Sequence, residues 1–196
     1  MKNDDKIKDK SLSEISSEKP VKDDDHDIVR RVLFESVNVY ELLVVKYQGP
    51  VFNLFLRMIH DRDEAEEMTQ IVFIKAYEAL PAFSFEHRFF SWLYRIAVNQ
   101  ALNELKKQRR FVDIEKIKNI SEEAIEKDAD KDRLLQNAID KLKDKYKAVI
   151  VLKYFQQLSY KEVAFALNIP EKKVRSRLYD ARLQLKEILE RNTDYF

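Results

Sequence analysis

Residues 158–182 read LSYKEVAFALNIPEKKVRSRLYDAR, and LQLKEIL carries the run on to residue 189. Ser159 stands ahead of an apolar-periodic stretch, and Glu162 follows three residues later. That is the spacing of a capping box, in which the hydroxyl and the carboxylate each accept an orphan backbone N–H at the helix start. Val163, Ala164 and Leu167 supply an inner face, and the small Ala164 permits a close helix crossing. Asn168 ends the helix, because asparagine tolerates the left-handed backbone that a tight turn needs. Ile169 plugs the core, and Pro170 or Glu171 opens the next helix. In that helix Val174, Leu178, Ala181, Leu185 and Ile188 recur at helical spacing as a buried stripe. Lys172, Arg175, Ser176, Tyr179 and Arg182 share the other side. The pattern predicts a helix–turn–helix whose second helix is basic and suited to a DNA major groove. A plain helical hairpin with a solvated face is the competing reading.

The rest of the chain agrees with helix throughout. Its 196 residues include one glycine, Gly49, and four prolines, so the tight hairpins of a sheet protein lack their usual turn residues. Leu, Ala, Glu, Lys and Gln, all good helix formers, fill the long segments. The expected class is all-α, with two small helical domains joined by an acidic linker. There is no cysteine, which excludes disulfides and Cys-ligated metals. His26, His60 and His87 lie far apart with no ligand spacing and read as ordinary surface or loop residues, so neither metal nor cofactor is expected. No Gly-rich phosphate loop or catalytic triad is present, and an enzyme is not expected. No apolar run approaches the roughly 20 residues of a membrane span. MKNDDKIKDKS, residues 1–11, lacks the apolar segment of a secretory signal, which points to the cytoplasm.

The formal charge of +1 conceals a strong pattern. Residues 1–27 carry net −3, residues 28–110 net +2, residues 111–132 net −4 and residues 133–196 net +6. A basic C-terminal segment fits an anionic partner, although a solvated lysine-rich surface would carry the same charge. Residues 1–30 are too polar to bury much surface and are expected to form a disordered tail. Residues 31–110 form the first domain, residues 111–132 a linker that is helical in part, and residues 133–192 the second domain. Within the first domain, YELLVVKYQGPVFNLFLRMI is either one helix bent at Gly49-Pro50 or two pieces. Asp63, with Glu66 three residues on, is expected to cap the next helix, which stops before Pro81.

The stretch FSFEHRFFSWLYRIAVNQ, residues 83–100, leads into a long helix from about Arg88 to Arg109. At 100° per residue, Arg88, Arg95, Asn99, Asn103, Lys106 and Arg110 fall within about 60° of Trp92. The opposite arc holds Phe90, Leu93, Tyr94, Ala97, Val98, Ala101 and Leu105. One side is therefore a core stripe and the other a strip of cations and amides around a tryptophan. Cations there bind phosphate, asparagines read base edges, and an indole stacks on a base. The alternative is a solvated face with a half-buried Trp. Base stacking contributes about 1–3 kcal/mol, comparable to the few kcal/mol that unstacking a nucleotide costs.

Together these segments resemble the extracytoplasmic-function group of bacterial sigma factors, in the sigma-70 family. The resemblance covers about Tyr40–Arg110 and Arg133–Glu190. AEEMTQIVFIKAY resembles the clamp-binding helix, FFSWLYRIAVNQALNELKKQRR the promoter-melting helix, and residues 158–182 the promoter-recognition helix–turn–helix. It implies a specificity subunit that binds polymerase core through the β′ clamp helices and the β flap, recognises minus-35 and minus-10 elements, and helps melt the latter. It assigns Glu67 and Gln70 to the polymerase, and the neighbouring Glu66 is expected to join them. It assigns Trp92, Asn99 and the loop from Phe83 to Arg88 to the site that captures a flipped base of the minus-10 element, and Arg95, Asn103 and Lys106 of the same polar strip are expected to join them on that DNA. Arg175, Ser176, Tyr179 and Arg182 match residues that face the minus-35 element, and Lys172 on the same outer side is expected to join them. An anti-sigma factor is an implied partner, and membrane insertion is not.

Three positions depart from the family pattern. Phe85 stands where the loop usually has glycine, Ile71 where an acid is common, and Asp180 where a basic residue often faces DNA; the last predicts an altered minus-35 preference. Two other functions compete: a free-standing helix–turn–helix regulator, and a helical adaptor with no nucleic-acid role. A dimerisation helix would have no reason to expose Trp92, Arg95 and Asn99.

Overall fold

The structure, a computed structural model, describes residues 24–112 and 127–193, with side chains described for residues 25–109 and 132–191. Eight α-helices follow in order among these residues: α1 Asp24–Phe34, α2 Tyr40–Ile59, α3 Arg62–Ala79, α4 Phe89–Val112, α5 Lys127–Asp140, α6 Asp144–Ile150, α7 Tyr160–Leu167 and α8 Glu171–Thr193. The first four pack as one bundle and the last four as another. No helix among the described residues is long and apolar enough to cross a membrane.

In the first bundle Leu43, Val51, Leu54, Phe55 and Met58 of α2 meet Ala65, Val72 and Ala76 of α3 and Phe89, Leu93, Ala97, Val98 and Ala101 of α4. α2 runs unbroken through Pro50. His60 closes it in the left-handed conformation at φ 61°, with its N–H donating to Leu56 O. That reversal moves the next cap forward. Asp61, not Asp63, caps α3, accepting from Glu64 N at 2.9 Å. On α4, Phe89 is fully buried while Phe90 is only half-buried, so the core stripe begins one residue earlier than the helical wheel places it.

The expected tail extends too far into the chain. α1 begins at Asp24, and Val29 and Val32 are buried against the first bundle. Asp25 is wholly buried, accepting from Lys46 Nζ at 2.5 Å and from the Tyr47 hydroxyl. A composition that looks too polar to fold is tolerated here because the buried charge is paired and hydrogen-bonded. Residues 1–23 lie outside the described residues. Helices also enter the expected linker from both ends, α4 to Val112 and α5 from Lys127, leaving residues 113–126 outside the described residues.

In the second bundle α6 continues into a π-helical turn over Val151–Phe155, where Gln156 N–H reaches Val151 O at 3.0 Å. The helix–turn–helix follows as expected. Ser159 N donates to Glu162 Oε2 at 2.8 Å and Glu162 N donates to Ser159 Oγ at 3.2 Å, a complete capping box. Asn168 takes φ 51° and α8 starts at Glu171. Val174, Leu178, Ala181 and Leu185 are buried, and Ile188 is half-buried. Ser159→Ala should cost about 1 kcal/mol, the usual contribution of such a cap. A denaturant titration that resolves the second bundle will read it as a lower midpoint with an unchanged slope.

Candidate nucleic-acid interface

The basic face of α8 is built by simple periodicity. With Val174, Leu178 and Ala181 inward, Lys172, Arg175, Ser176, Tyr179 and Arg182 point outward, and all five are exposed. Tyr179 is 63% exposed, a large apolar ring that nothing in the bundle needs. Arg175 is pre-positioned: it pairs with Glu171 one turn back, and its guanidinium lies 4.5 Å over the Tyr160 ring. Arg182 Nε donates to Leu178 O at 3.3 Å. Asp180 is half-buried, and its carboxylate accepts a long 3.5 Å bond from the Tyr146 hydroxyl. It therefore leans toward α6 and away from the row formed by Arg175 and Tyr179.

On α4, Asn99, Asn103 and Lys106 are exposed and Trp92 is half-buried on the same side. The indole rests on a bed of aromatic rings, with centroids 5.3 Å from Phe83 and 5.7 Å from Phe89. Offset or edge contacts at this separation hold a ring in one orientation. Phe83 itself is only 6% exposed. Its assignment to DNA is corrected here: the ring supports Trp92 from beneath the loop and does not present itself to a base. Phe85 needs no left-handed backbone; among the described residues only His60, Gln157 and Asn168 have positive φ. The loop is instead closed by Glu86 N donating to Ser84 Oγ at 3.4 Å and His87 N donating to Ser84 O at 3.2 Å. The side chain of Arg110 lies outside the described residues.

Glu66, Glu67 and Gln70 are exposed on the outer face of α3, with Arg62 Nε 3.2 Å from Glu66 Oε1. Ile74, 59% exposed, and Tyr77 extend that face by one and two turns. The sequence reading missed both. Ile71 is half-buried against the core, so the loss of an acid there alters packing more than the outer face.

The two bundles are docked on each other, which the sequence reading did not anticipate. α7 packs along α4. Arg88 Nη1 lies 3.6 Å from Glu162 Oε1, the His87 and Phe165 rings are 4.0 Å apart, and the Arg95 guanidinium sits 5.2 Å over Phe165. Tyr94 is buried, which pushes its phenol up to about 12, so it stays a donor at neutral pH; it donates to Gln156 Oε1 at 2.6 Å. On the other side Arg57 Nη2 donates to Asp132 Oδ1 and Oδ2 at 2.9 and 2.8 Å. Lys147, 5% exposed, donates to Met58 O at 3.2 Å and Asp140 Oδ1 at 2.7 Å. Asp140 Oδ2 is also 2.7 Å from His60 Nδ1. Two of the three cations expected at the minus-10 element, Arg88 and Arg95, are thus engaged by α7, while Asn99, Asn103 and Lys106 are exposed. Among the described residues no cluster of His, Asp or Glu could hold a metal ion.

Comparison with known proteins matches both bundles. The family model for sigma-70 region 2 matches residues 43–111, and that for sigma-70 region 4 matches residues 132–185. The chain is 32% identical over 182 residues to the RNA polymerase sigma-H factor of Pseudomonas aeruginosa, covering 85% of this chain and 94% of that one. It is 32% identical over 158 residues to the ECF RNA polymerase sigma factor SigW of Bacillus subtilis, covering 73% and 84%. A solved structure of the sigma factor RpoE of Bartonella quintana, in complex with the anti-sigma factor NepR, shares the fold: TM-score 0.65 at 20% identity, over 77% of this chain and 96% of that one.

Proposed function

The chain belongs to the extracytoplasmic-function group of sigma-70 factors, non-enzymatic promoter-specificity subunits of bacterial RNA polymerase, and from that premise we propose which of its residues meet polymerase and promoter. As such a factor it binds core polymerase, recognises the minus-35 and minus-10 elements and helps open the DNA. A free-standing regulator is not favoured, because the first bundle is a sigma region and not a ligand or dimerisation domain.

In our reading α8 enters the major groove of the minus-35 element. Arg175 and Ser176 face base edges, while Lys172 and Arg182 hold phosphates. On α4, Asn99, Asn103 and Lys106 track the minus-10 strand, and an unpaired base lodges between Trp92 and the loop from Ser84 to Arg88, with Phe83 supporting the indole from within. The outer face of α3, with Glu66, Glu67, Gln70, Ile74 and Tyr77, takes the β′ clamp helices, and the second bundle takes the β flap. The observation that carries this reading is the placement of a tryptophan on an aromatic bed within the amide-and-cation face of α4. The work is done where polymerase and chromosome are, in the cytoplasm. The Bartonella relative is held by an anti-sigma factor, and we extend a partner of that class to this chain.

The docked arrangement cannot serve both elements at once. Minus-10 and minus-35 are about 25 base pairs apart, or about 85 Å at about 3.4 Å per pair. A compact chain of this length has a radius of gyration of about 16 Å. The bundles therefore separate on the way to the promoter, freeing Arg88 and Arg95.

Reconstitution with core polymerase and genomic promoter fragments tests the reading: template-specific run-off transcripts are expected, and their absence contradicts it. In the same system Lys172→Ala should weaken binding on all promoters alike. It should also make the slope of log affinity against log salt shallower by about 0.9, the loss of one phosphate contact. A change in promoter ranking would place Lys172 on a base instead.

A further inference from the structure

α1 lies outside both family matches, yet it touches the loop that precedes α4. His26 is 5% exposed, and its Nε2 is 2.9 Å from His87 O, to which it donates. The imidazole stands edge-on to two loop rings, with centroids 5.7 Å from Phe83 and 5.3 Å from Phe85. Phe83 and Phe85 meet each other at 5.2 Å, and Phe83 meets Trp92 at 5.3 Å. From the exposed side, the Arg30 guanidinium lies 4.8 Å over Phe85. The helix is itself anchored, through buried Asp25 on Lys46 and Tyr47 and through Val29 and Val32 in the core. A rigid element is thus joined to the indole by an unbroken series of ring contacts: Arg30 and His26 to Phe85, Phe85 to Phe83, Phe83 to Trp92.

We propose that α1 is a positioning element for minus-10 recognition, and that His26 is the residue through which it fixes the capture loop and, by way of Phe83, the tilt of Trp92. The loop's internal bonds include two contacts to Ser84, at 3.4 and 3.2 Å, and its contacts to α7, His87 on Phe165 and Arg88 on Glu162, are lost when the bundles separate. After separation Phe83 keeps its contact with Phe89 at 5.9 Å and its N–H bond to Leu80 O at 3.0 Å, while Phe85 and His87 keep the α1 brace. A base entering beside Trp92 then meets a surface already ordered, and the ordering cost is not deducted from its affinity. The proposal rests on the reading of Trp92 as the base-stacking ring.

The test uses His26→Ala and His26→Gln, the latter able to donate to His87 O, together with Arg30→Ala, which removes an exposed contact and leaves the core intact. Two readouts are taken. The first, on the free chain, is amide exchange at Glu86 and His87 with the emission and quenching of Trp92, the chain's single tryptophan. The second, on the holoenzyme, is affinity for a single-stranded minus-10 oligonucleotide, with core binding as control. His26→Ala should speed loop exchange, make Trp92 more quenchable and weaken oligonucleotide binding about tenfold, the scale of one buried hydrogen bond and one aromatic contact. His26→Gln should recover much of this, Arg30→Ala should cost about threefold, and core binding should not change. Unaltered loop exchange in His26→Ala and Arg30→Ala, or a loosened loop with full oligonucleotide affinity, overturns the proposal. A wild-type holoenzyme that fails to bind the strand strikes the base-capture reading itself, while the exchange readout still decides whether the brace exists.

Discussion

Trp92→Ala is expected to cut open-promoter formation by about 5- to 150-fold, which is the loss of about 1–3 kcal/mol of base stacking. Core binding and minus-35 binding should survive, because they are assigned to the outer face of α3 and to α8, whereas the indole lies on α4 against Phe83 and Phe89. Part of any loss could come from the bed itself, since Trp92 packs on Phe83 and Phe89. Trp92→Phe separates the two effects: it keeps an aromatic face for the base and most of the packing. Recovery of at least half the lost free energy in Trp92→Phe assigns the effect to stacking. Permanganate reactivity of unpaired thymines in the minus-10 element reads opening directly, with run-off yield as the functional counterpart.

Locking the docked bundles together should have a still larger effect, bringing specific transcription to background. The chain has no cysteine, so a His87→Cys, Phe165→Cys variant carries the sole reactive pair, at a place where the native rings are 4.0 Å apart. Phe165 is assigned to neither DNA nor polymerase; His87 lies in the capture loop but enters it through its backbone carbonyl, so the reagent-treated His87→Cys single variant controls for any effect on the loop itself. Bridging the pair with a short cleavable bis-maleimide holds α7 against α4, where Arg88 and Arg95 stay engaged and the bundles cannot reach two elements about 85 Å apart. Cleaving the linker should restore transcription, and single-cysteine controls treated with the same reagent should remain active. Full activity of the bridged protein would mean that the docked arrangement is compatible with promoter binding.

Much of this architecture is local and therefore legible in the sequence. The capping box at Ser159 and Glu162, the left-handed Asn168 and the stripe through Val174, Leu178 and Ala181 depend on neighbours within a turn or two, and all stand where the spacing puts them. The same holds for the exposed row from Lys172 to Arg182. What escaped depends on residues distant in the chain. Asp25 and His26 look like tail by composition, but Lys46, Tyr47 and His87 give them partners. The apolar Val29 and Val32, three apart, were the available hint of a buried helix face. Reading the three histidines as surface or loop residues failed at His26 for the same reason. Phe83 lies in a loop, where periodicity gives no orientation, and only the fold reveals it as support. The docking of the bundles is carried by single side chains across large separations, Arg57 to Asp132, Lys147 to Met58 and Phe165 to Arg95. No one-dimensional pattern encodes such pairs.

The central claim is that an unpaired promoter base lodges against Trp92. Its most direct measurement places 2-aminopurine in turn at each minus-10 position of the non-template strand and follows its fluorescence as holoenzyme opens the promoter. The account predicts one position whose probe leaves the DNA stack and is quenched by the indole in the wild type, and which becomes bright in Trp92→Phe. If every position gives the same signal in wild type and Trp92→Phe on opened promoters, no base rests on that ring, and the assignment of α4 is contradicted.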